Sequence, residues 1–343
     1  LISYLLFFGF LAYIYALYTP DENARIGVGL RVPPMVRRAV VAPVVVVLVV
    51  GLVYAVNYRP VKANIELINA LRLQGSNQYE AALASHTSAL SYNTFGNREI
   101  RLTLGNAASQ VIQNDSVSSE IKNRYFGAAG REFEKQIQEA PHAIRSRLTY
   151  GTMLLRGGQL NRALEQYKKA RDLSPSKQFI YYQIANVHFQ QNNPREALVV
   201  LERAFMLEPS NRKARELYAY GAIVAEDDAA LQRARTHEGE LTDAHMADNK
   251  RILNAYIQTQ QWEEVTTLLT ERVETLRSRL EDTSSERVQA DLLETYQNLA
   301  GVHANRNQTS HAVAVLEEAK NALPEHVEHI DQLIARMQEE SVR

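Results

Sequence analysis

The sequence contains no cysteine. Disulfides, thiolate metal sites and cysteine nucleophiles are excluded, while a place on either side of a membrane is left open. It has no excess of one charge either: 38 basic residues stand against 39 acidic ones. No overall field draws nucleic acid or an acidic surface to the chain, and no nucleic-acid partner is expected. A phosphate-binding glycine loop is missing, as is the G-x-S-x-G elbow of a serine hydrolase. The histidines are scattered, and the closest pair, His326 and His329 beside Glu325 and Glu328, falls short of the three or four converging ligands that zinc needs. These gaps point away from catalysis: no catalytic residue, cofactor or metal is expected within these residues. Charged residues are 22% of the chain, an ordinary share for a folded protein, which argues against wholesale disorder.

What is present first is apolar length. Residues 1–18 carry no charge, and residues 39–56 are also uncharged, with ten valines and two leucines. About 18 residues span roughly 27 Å as a helix, close to the hydrocarbon thickness of a bilayer. Two transmembrane helices are expected, over 1–18 and 39–57, with Pro43 near the start of the second, where a missing backbone donor does least harm. The short loop between them, residues 19–38, carries Arg25, Arg31, Arg37 and Arg38. An arginine-rich loop belongs on the cytoplasmic side, which would put everything after Tyr58 outside; Arg59 and Lys62 oppose that orientation. Because the sequence opens on Leu1 inside an apolar run, the expectation is the C-terminal portion of a longer protein or a processed form.

Beyond residue 60 the apolar residues fall at helical spacings, and an internal period emerges. Pro141, Pro175 and Pro209 are spaced by 34 residues, and the same shift carries Gly151 to Ala185, Ala163 to Ala197, Tyr167 to Leu201 and Ala170 to Ala204. A third copy starts at Leu293, with Ala300, Ala312, Leu316, Ala319 and Pro324 in the same places. This pattern resembles the tetratricopeptide repeat, in which small residues let two helices of a hairpin approach closely and a proline ends the second helix. The resemblance implies an all-α fold: two transmembrane helices followed by a tetratricopeptide-like α-solenoid of helix hairpins. Two clear repeats fill 144–211. Degenerate repeats fill 58–143 and 212–292, the latter with a long helix, and 293–343 holds the last repeat and a C-terminal capping helix. Asn193, followed by Pro194, is expected to cap one helix, and Thr283 with Glu286 to open another by a capping box. His188 and His303 share one repeat position and are expected to pack in or near the core. Asn114 and Asn307 head N-x-S/T sequons.

The repeat resemblance also implies a concave groove lined by the first helix of each hairpin. Its candidate partner-binding residues are Arg145, Thr152, Arg156, Phe179, Tyr182, Asn186, Phe189, Gln190 and Tyr220, with Leu148 and Glu216 on the same face. Aromatic and amide groups suit an extended peptide or a sugar chain; the alternative is that Phe179, Tyr182 and Phe189 only pack within the array. Leu148 and Tyr182 stand where a carboxylate-gripping version of the fold carries basic groups, so capture of a chaperone tail is not expected. Expected partners are a protein or peptide in the groove, with a glycan as the other candidate, and the lipid bilayer.

The whole arrangement, paired apolar runs, a basic loop, Asn57-Tyr58-Arg59-Pro60 and then repeats, resembles the C-terminal end of bacterial O-antigen ligase or polymerase-like membrane proteins. The resemblance covers about the first 75 residues and is architectural, and no catalytic residue of that family can be carried over. It implies a non-catalytic interaction module of a glycan-transferring protein in the bacterial inner membrane, with the repeats in the periplasm. The alternative is an independent membrane-anchored scaffold for envelope assembly or secretion.

Overall fold

The computed structural model describes residues 9, 40, 42–237, 240–283 and 285–342. The first apolar run, except Gly9, and the basic loop 19–38 lie outside the described residues, and so do the expectations made for them. The chain divides into two compact units, residues 1–166 and 167–343. All regular structure among the described residues is helical.

In the first unit, helix α1 (Ala42–Val53) is uniformly apolar, and the side chains of Val44, Val47, Leu48 and Val50 are exposed. The expected helix ended at residue 57. Instead the chain passes through a π-turn, Tyr54–Tyr58, directly into α2 (Arg59–Gly75). Pro60 has no N–H to give to the preceding turn, and a π-turn beside it takes up that mismatch without ending the helix. Among the described residues one helix, Val46–Gly75, is long and apolar enough to cross a membrane. Helices α3 (Tyr79–Ser91), α4 (Asn97–Gln113), α5 (Ser119–Glu139) and α6 (Ile144–Arg156) follow, then α7 (Leu160–Leu173), within which the unit boundary falls. Here α2 packs on α3, α4 on α5, and α6 on both α4 and α5.

The second unit continues with α8 (Gln178–Gln190), α9 (Pro194–Leu207), α10 (Arg212–Val224), α11 (Asp228–Thr236), the short α12 (Asp243–Ala247), α13 (Lys250–Gln258), α14 (Trp262–Asp282), α15 (Glu286–Asn305), α16 (Thr309–Ala322) and α17 (Val327–Val342). Again neighbours pair as hairpins: α8 with α9, α10 with α11, α14 with α15, α15 with α16.

The periodic residues do what small residues at a helix crossing must. Ala70, Ala82, Ala89, Ala129, Ala163, Ala170, Ala185, Ala197, Ala204, Ala300, Ala312 and Ala319 are all at most 1% exposed. A larger side chain at any of them would force the helices apart. Turns within hairpins repeat as well. Asn77, Gly158, Asn192, Glu226, Gln260 and Asn307 each adopt a positive φ of 54–73°. In each case the next residue's N–H closes back on a carbonyl five residues earlier, at 2.8–2.9 Å. This is a Schellman closure, which needs a left-handed residue just past the helix end.

The prolines of the 34-residue period have a partner that sequence reasoning did not foresee. The carbonyl of Pro141 accepts from the buried guanidinium of Arg147 (3.0 and 3.1 Å). That of Pro175 accepts from the Tyr181 hydroxyl (2.7 Å), and that of Pro209 from Arg215 (2.9 Å). Each loop carbonyl is thus satisfied from the first turn of the following helix, which ties the largely exposed loop to the helix that it precedes.

Two expected caps are corrected. Asn193 does precede α9, with Pro194 as its first residue, but its side chain makes no capping hydrogen bond; its backbone N–H closes the preceding helix. Thr283 ends α14, its hydroxyl donating back to the Arg279 carbonyl, and Ser285 rather than Thr283 precedes α15. Side-chain caps occur instead at Ser118, Asn211, Asp227, Thr242 and Asn249.

Candidate binding cleft

In the second unit the first helices of two successive hairpins, α8 and α10, leave a cleft of about 360 Å³ between them. Residues four apart lie one above the other on a helix, so Tyr182, Asn186 and Phe189 of α8 face the same way. They line the cleft with Phe179, with Lys213, Leu217 and Tyr220 of α10, and with Arg251 of α13. Of the nine candidates read from the sequence, five meet here: Phe179, Tyr182, Asn186, Phe189 and Tyr220. Gln190 is exposed and does not line the cleft. Arg145, Thr152 and Arg156 belong to the first unit. There Arg145 is exposed and paired with Glu99 (3.2 Å), the Thr152 hydroxyl donates to the Leu148 carbonyl (3.0 Å), and Arg156 is exposed at the end of α6.

The aromatic residues are both packed and presented. Tyr182, Phe189 and Tyr220 lean on the buried core of this unit while staying half-exposed, and Phe189 meets Tyr220 edge to face at 5.1 Å. Phe179 remains 46% exposed, more than packing alone requires. The start of α8 is held by Gln178, which donates to the Ala204 carbonyl (2.9 Å) and accepts from Asn211 (2.7 Å).

Polar capacity in the cleft is left open. The Tyr182 hydroxyl oxygen is buried and has no hydrogen-bond partner among the described residues. Burial and, secondarily, the carboxylate of Glu208 push its pKa up, so it is a neutral donor at neutral pH. Lys213 lies over the Tyr182 ring (5.9 Å to the centroid) and Arg251 over Tyr220 (5.9 Å). Neither cation has a carboxylate partner among the described residues. Their neighbours do: Arg212 pairs with Glu216 (2.7 Å), Lys250 with Glu294 (2.6 Å), and the second oxygen of Glu216 accepts from Asn249 (3.0 Å). A larger open groove of about 650 Å³ shares Lys213, Leu217 and Arg251 with the cleft and extends it past Asp248.

The remaining sequence candidates stay apart. His188 is half-buried; burial and then Lys168 lower its pKa. His303 stacks on His311 at 5.6 Å and its Nδ1 meets Gln308 at 2.9 Å. The Nε2 of His329 meets Gln297 at 3.0 Å, and the described residues contain no group of three or more metal-ligating side chains.

Comparison with known proteins adds to the period and the turn geometry. The family model described as anaphase-promoting complex, cyclosome, subunit 3 matches residues 132–204. A tetratricopeptide repeat protein from Parabacteroides merdae is 11% identical, covering 81% of this chain and 99% of its own, with a TM-score of 0.43. PilF of Pseudomonas aeruginosa is 12% identical over 63% of this chain and 92% of its own, with a TM-score of 0.40. A thermophilic tetratricopeptide protein of Thermus thermophilus is 14% identical over 68% and 98%, with a TM-score of 0.35. No curated protein matches the sequence. The described residues form an all-α array of helix hairpins, and the similar solved structures include tetratricopeptide repeat proteins. In tetratricopeptide register Lys213 is the second residue of its repeat, a groove position, so the sequence did carry the signal for it. Arg251 carried none. The first helix of its repeat breaks between α12 and α13 at Asp248 and Asn249, and that break re-aims a residue the template does not assign to the groove.

Proposed function

We propose that this protein is a membrane-anchored tetratricopeptide-type scaffold that holds an extended segment of a partner protein in the cleft between α8 and α10. The observation that carries the reading is unspent polar capacity beside aromatic walls: an unpartnered Tyr182 hydroxyl and two cations without carboxylates, Lys213 and Arg251. The buried hydroxyl is costly to leave unmade, and the two exposed cations are available to a ligand's carboxylate. A carboxylate between Lys213 and Arg251, an apolar side chain against Phe189 and Leu217, and main-chain amides against Asn186 would satisfy them together. A neutral sugar chain could stack on the aromatic faces but would leave both cations unanswered, which favours a peptide.

The anchor is supported by the exposed valines of α1 and by the helix Val46–Gly75. With the arginines of residues 19–38 inside, the repeats stand outside the inner membrane of a bacterium. The finer reading is the non-catalytic C-terminal module of an O-antigen ligase or polymerase-like protein. An independent scaffold for envelope assembly or secretion is the second. Further apolar segments encoded upstream support the first, and a start codon just before Leu1 sinks it. The cleft is tested by selecting peptides from a random display library on the full chain in detergent. Acidic peptides with an aromatic or aliphatic residue should be enriched, and Tyr182→Ala should weaken them about ten-fold, the worth of one or two hydrogen bonds, at unchanged helicity. Enrichment without acidic residues, or unfolding of the variant, refutes the reading.

A further inference from the structure

Phe95 is 81% exposed, the most exposed of the large apolar side chains among the described residues. It stands on the loop between α3 and α4, and that loop is well tied. The Thr94 N–H donates to the Asn97 side chain (3.0 Å) and the Gly96 N–H to the Thr94 hydroxyl (3.2 Å). The Asn97 amide in turn donates to the Leu90 carbonyl (3.1 Å). A loop so cross-braced has a fixed shape, and that shape holds a phenyl ring in the open instead of turning it in. Something outside the described fold is expected to cover it.

The position of the loop says what. Because α3 runs back along α2, its end returns to the level at which α2 begins. The guanidinium of Arg59 donates to the carbonyl of Tyr92, which ties the loop to the first residue of α2. Three residues before Arg59 the apolar run ends, at Val56. Tyr54 and Tyr58, both about half exposed, stack at 5.3 Å at that end, with Lys62 over the Tyr58 ring (5.7 Å). Aromatic rings followed by cations, at the end of a membrane-length apolar helix, are the composition of the bilayer interface. Arg98 is exposed on the same loop's flank, and Glu99 beside it is paired with Arg145.

We propose that this loop is a second membrane contact: Phe95 dips into the interfacial layer of the bilayer beside the exit of the apolar helix, and Arg59, Lys62 and Arg98 face anionic lipid phosphates. The occupant is a lipid surface, chosen over a protein by the charge and by continuity with the apolar helix. The contact rests on the membrane anchor and goes beyond it. A single helix leaves the repeats free to swivel, whereas two separate contacts with the bilayer fix which face of the first hairpin looks toward it. Basic residues near an anionic surface strengthen such a contact, and salt weakens it.

The chain's one tryptophan, Trp262, allows a clean test. The full chain carrying Phe95→Trp and Trp262→Phe is reconstituted into vesicles of phosphatidylcholine with phosphatidylglycerol, using lipids brominated at shallow or deep acyl positions. Vesicle flotation monitors the anchor separately. The expected result is a blue-shifted indole emission, quenched at least about two-fold more by shallow than by deep bromines, as an interfacial ring should be. Arg98→Glu should weaken that quenching in anionic vesicles. A chain that floats with the vesicles while its indole stays red-shifted and unquenched overturns the inference and leaves the anchor standing. An indole shielded from aqueous iodide but not quenched by the lipids means that a protein covers the loop, which also overturns it. A chain that fails to float refutes the anchor and the loop contact together.

Discussion

The two units each carry a groove between the first helices of neighbouring hairpins, and they fill it oppositely. In the first unit a groove of about 520 Å³ between α2 and α4 has no charged residue in its lining, and two pairs of its polar side chains bind one another. Gln74 donates to Gln110 (2.8 Å), and Asn114 to the Tyr79 hydroxyl (3.0 Å), leaving the Gln74 carbonyl oxygen over. In the second unit, aromatic walls carry two cations without carboxylates and a hydroxyl without a partner. The scaffold is the same, so shape alone does not make a recognition surface. What differs is charge: the first groove carries none, and the second carries two cations without carboxylates.

The first unit keeps its largest unanswered group in the core instead. His86 on α3 is fully buried and neither ring nitrogen has a partner among the described residues; burial holds its pKa down at about 4 against an ordinary 6.5. Between those values the unfolded chain takes up a proton that the folded chain refuses. Its stability is therefore full above pH 6.5 and falls as the pH drops toward 4, by up to about 3 kcal/mol at 1.4 kcal/mol per pH unit. Thermal unfolding followed from pH 7 to 4 should show this loss in the native chain and a flatter profile in His86→Leu. Equal pH dependence in both would show that the cost lies elsewhere.

Next in size is the contrast between the grooves themselves. Lys213→Glu combined with Arg251→Glu should lower the affinity of a selected acidic peptide about 100-fold, the worth of two charge-assisted contacts. Gln110→Ala, in the neutral groove, should leave it unchanged by titration calorimetry. If both variants weakened binding equally, the distinction between a neutral and a cationic groove would fail.

Much of this was legible because it depends on local spacing. The prolines, the buried alanines and five cleft residues follow from a 34-residue period that any reader can count. What escaped depends on where backbone groups point. Nothing in the spacing says that Pro141, Pro175 and Pro209 turn their carbonyls toward Arg147, Tyr181 and Arg215. Asn193 stands at the cap position, yet its side chain makes no capping bond, whereas Asp227 in the equivalent turn does. Arg251 enters the cleft only because a helix breaks at Asp248, and a template that assumes whole helices misassigns everything after such a break.

Packing at glycines separates the units by a smaller margin. A Cβ at Gly105 would lie 2.3 Å from the ring of Phe133, which is fully buried and stacked on Tyr150 at 5.2 Å. At Gly221 it would meet the methyl end of Leu201 at 2.7 Å. Overpacking against a locked ring costs about 1–3 kcal/mol, against which alanine regains up to about 1 kcal/mol of helix preference. Gly105→Ala should thus destabilise by about 1–2 kcal/mol in urea unfolding, whereas Gly221→Ala, facing a leucine tip that can rotate, should be near neutral.

The smallest effect concerns the turns, where the units also differ in residue choice. The first unit closes α6 and α7 with Gly158 (φ 73°), the natural residue for a left-handed position, with open space around it. The second unit places Glu226 (φ 54°) and Gln260 (φ 57°) in the equivalent turns. A side chain with a Cβ pays about 1 kcal/mol or more in that region, while glycine loses more freedom on folding, and the two terms partly cancel. Gln260→Gly should therefore stabilise by about 0.5 kcal/mol, and Gly158→Ala should destabilise by about 0.5 kcal/mol, the strain outweighing the freedom removed from the unfolded chain. Opposite signs in matched unfolding curves are the result to look for. If Gln260→Gly lowered stability instead, the glutamine side chain would have to be holding the turn through contacts stronger than its strain.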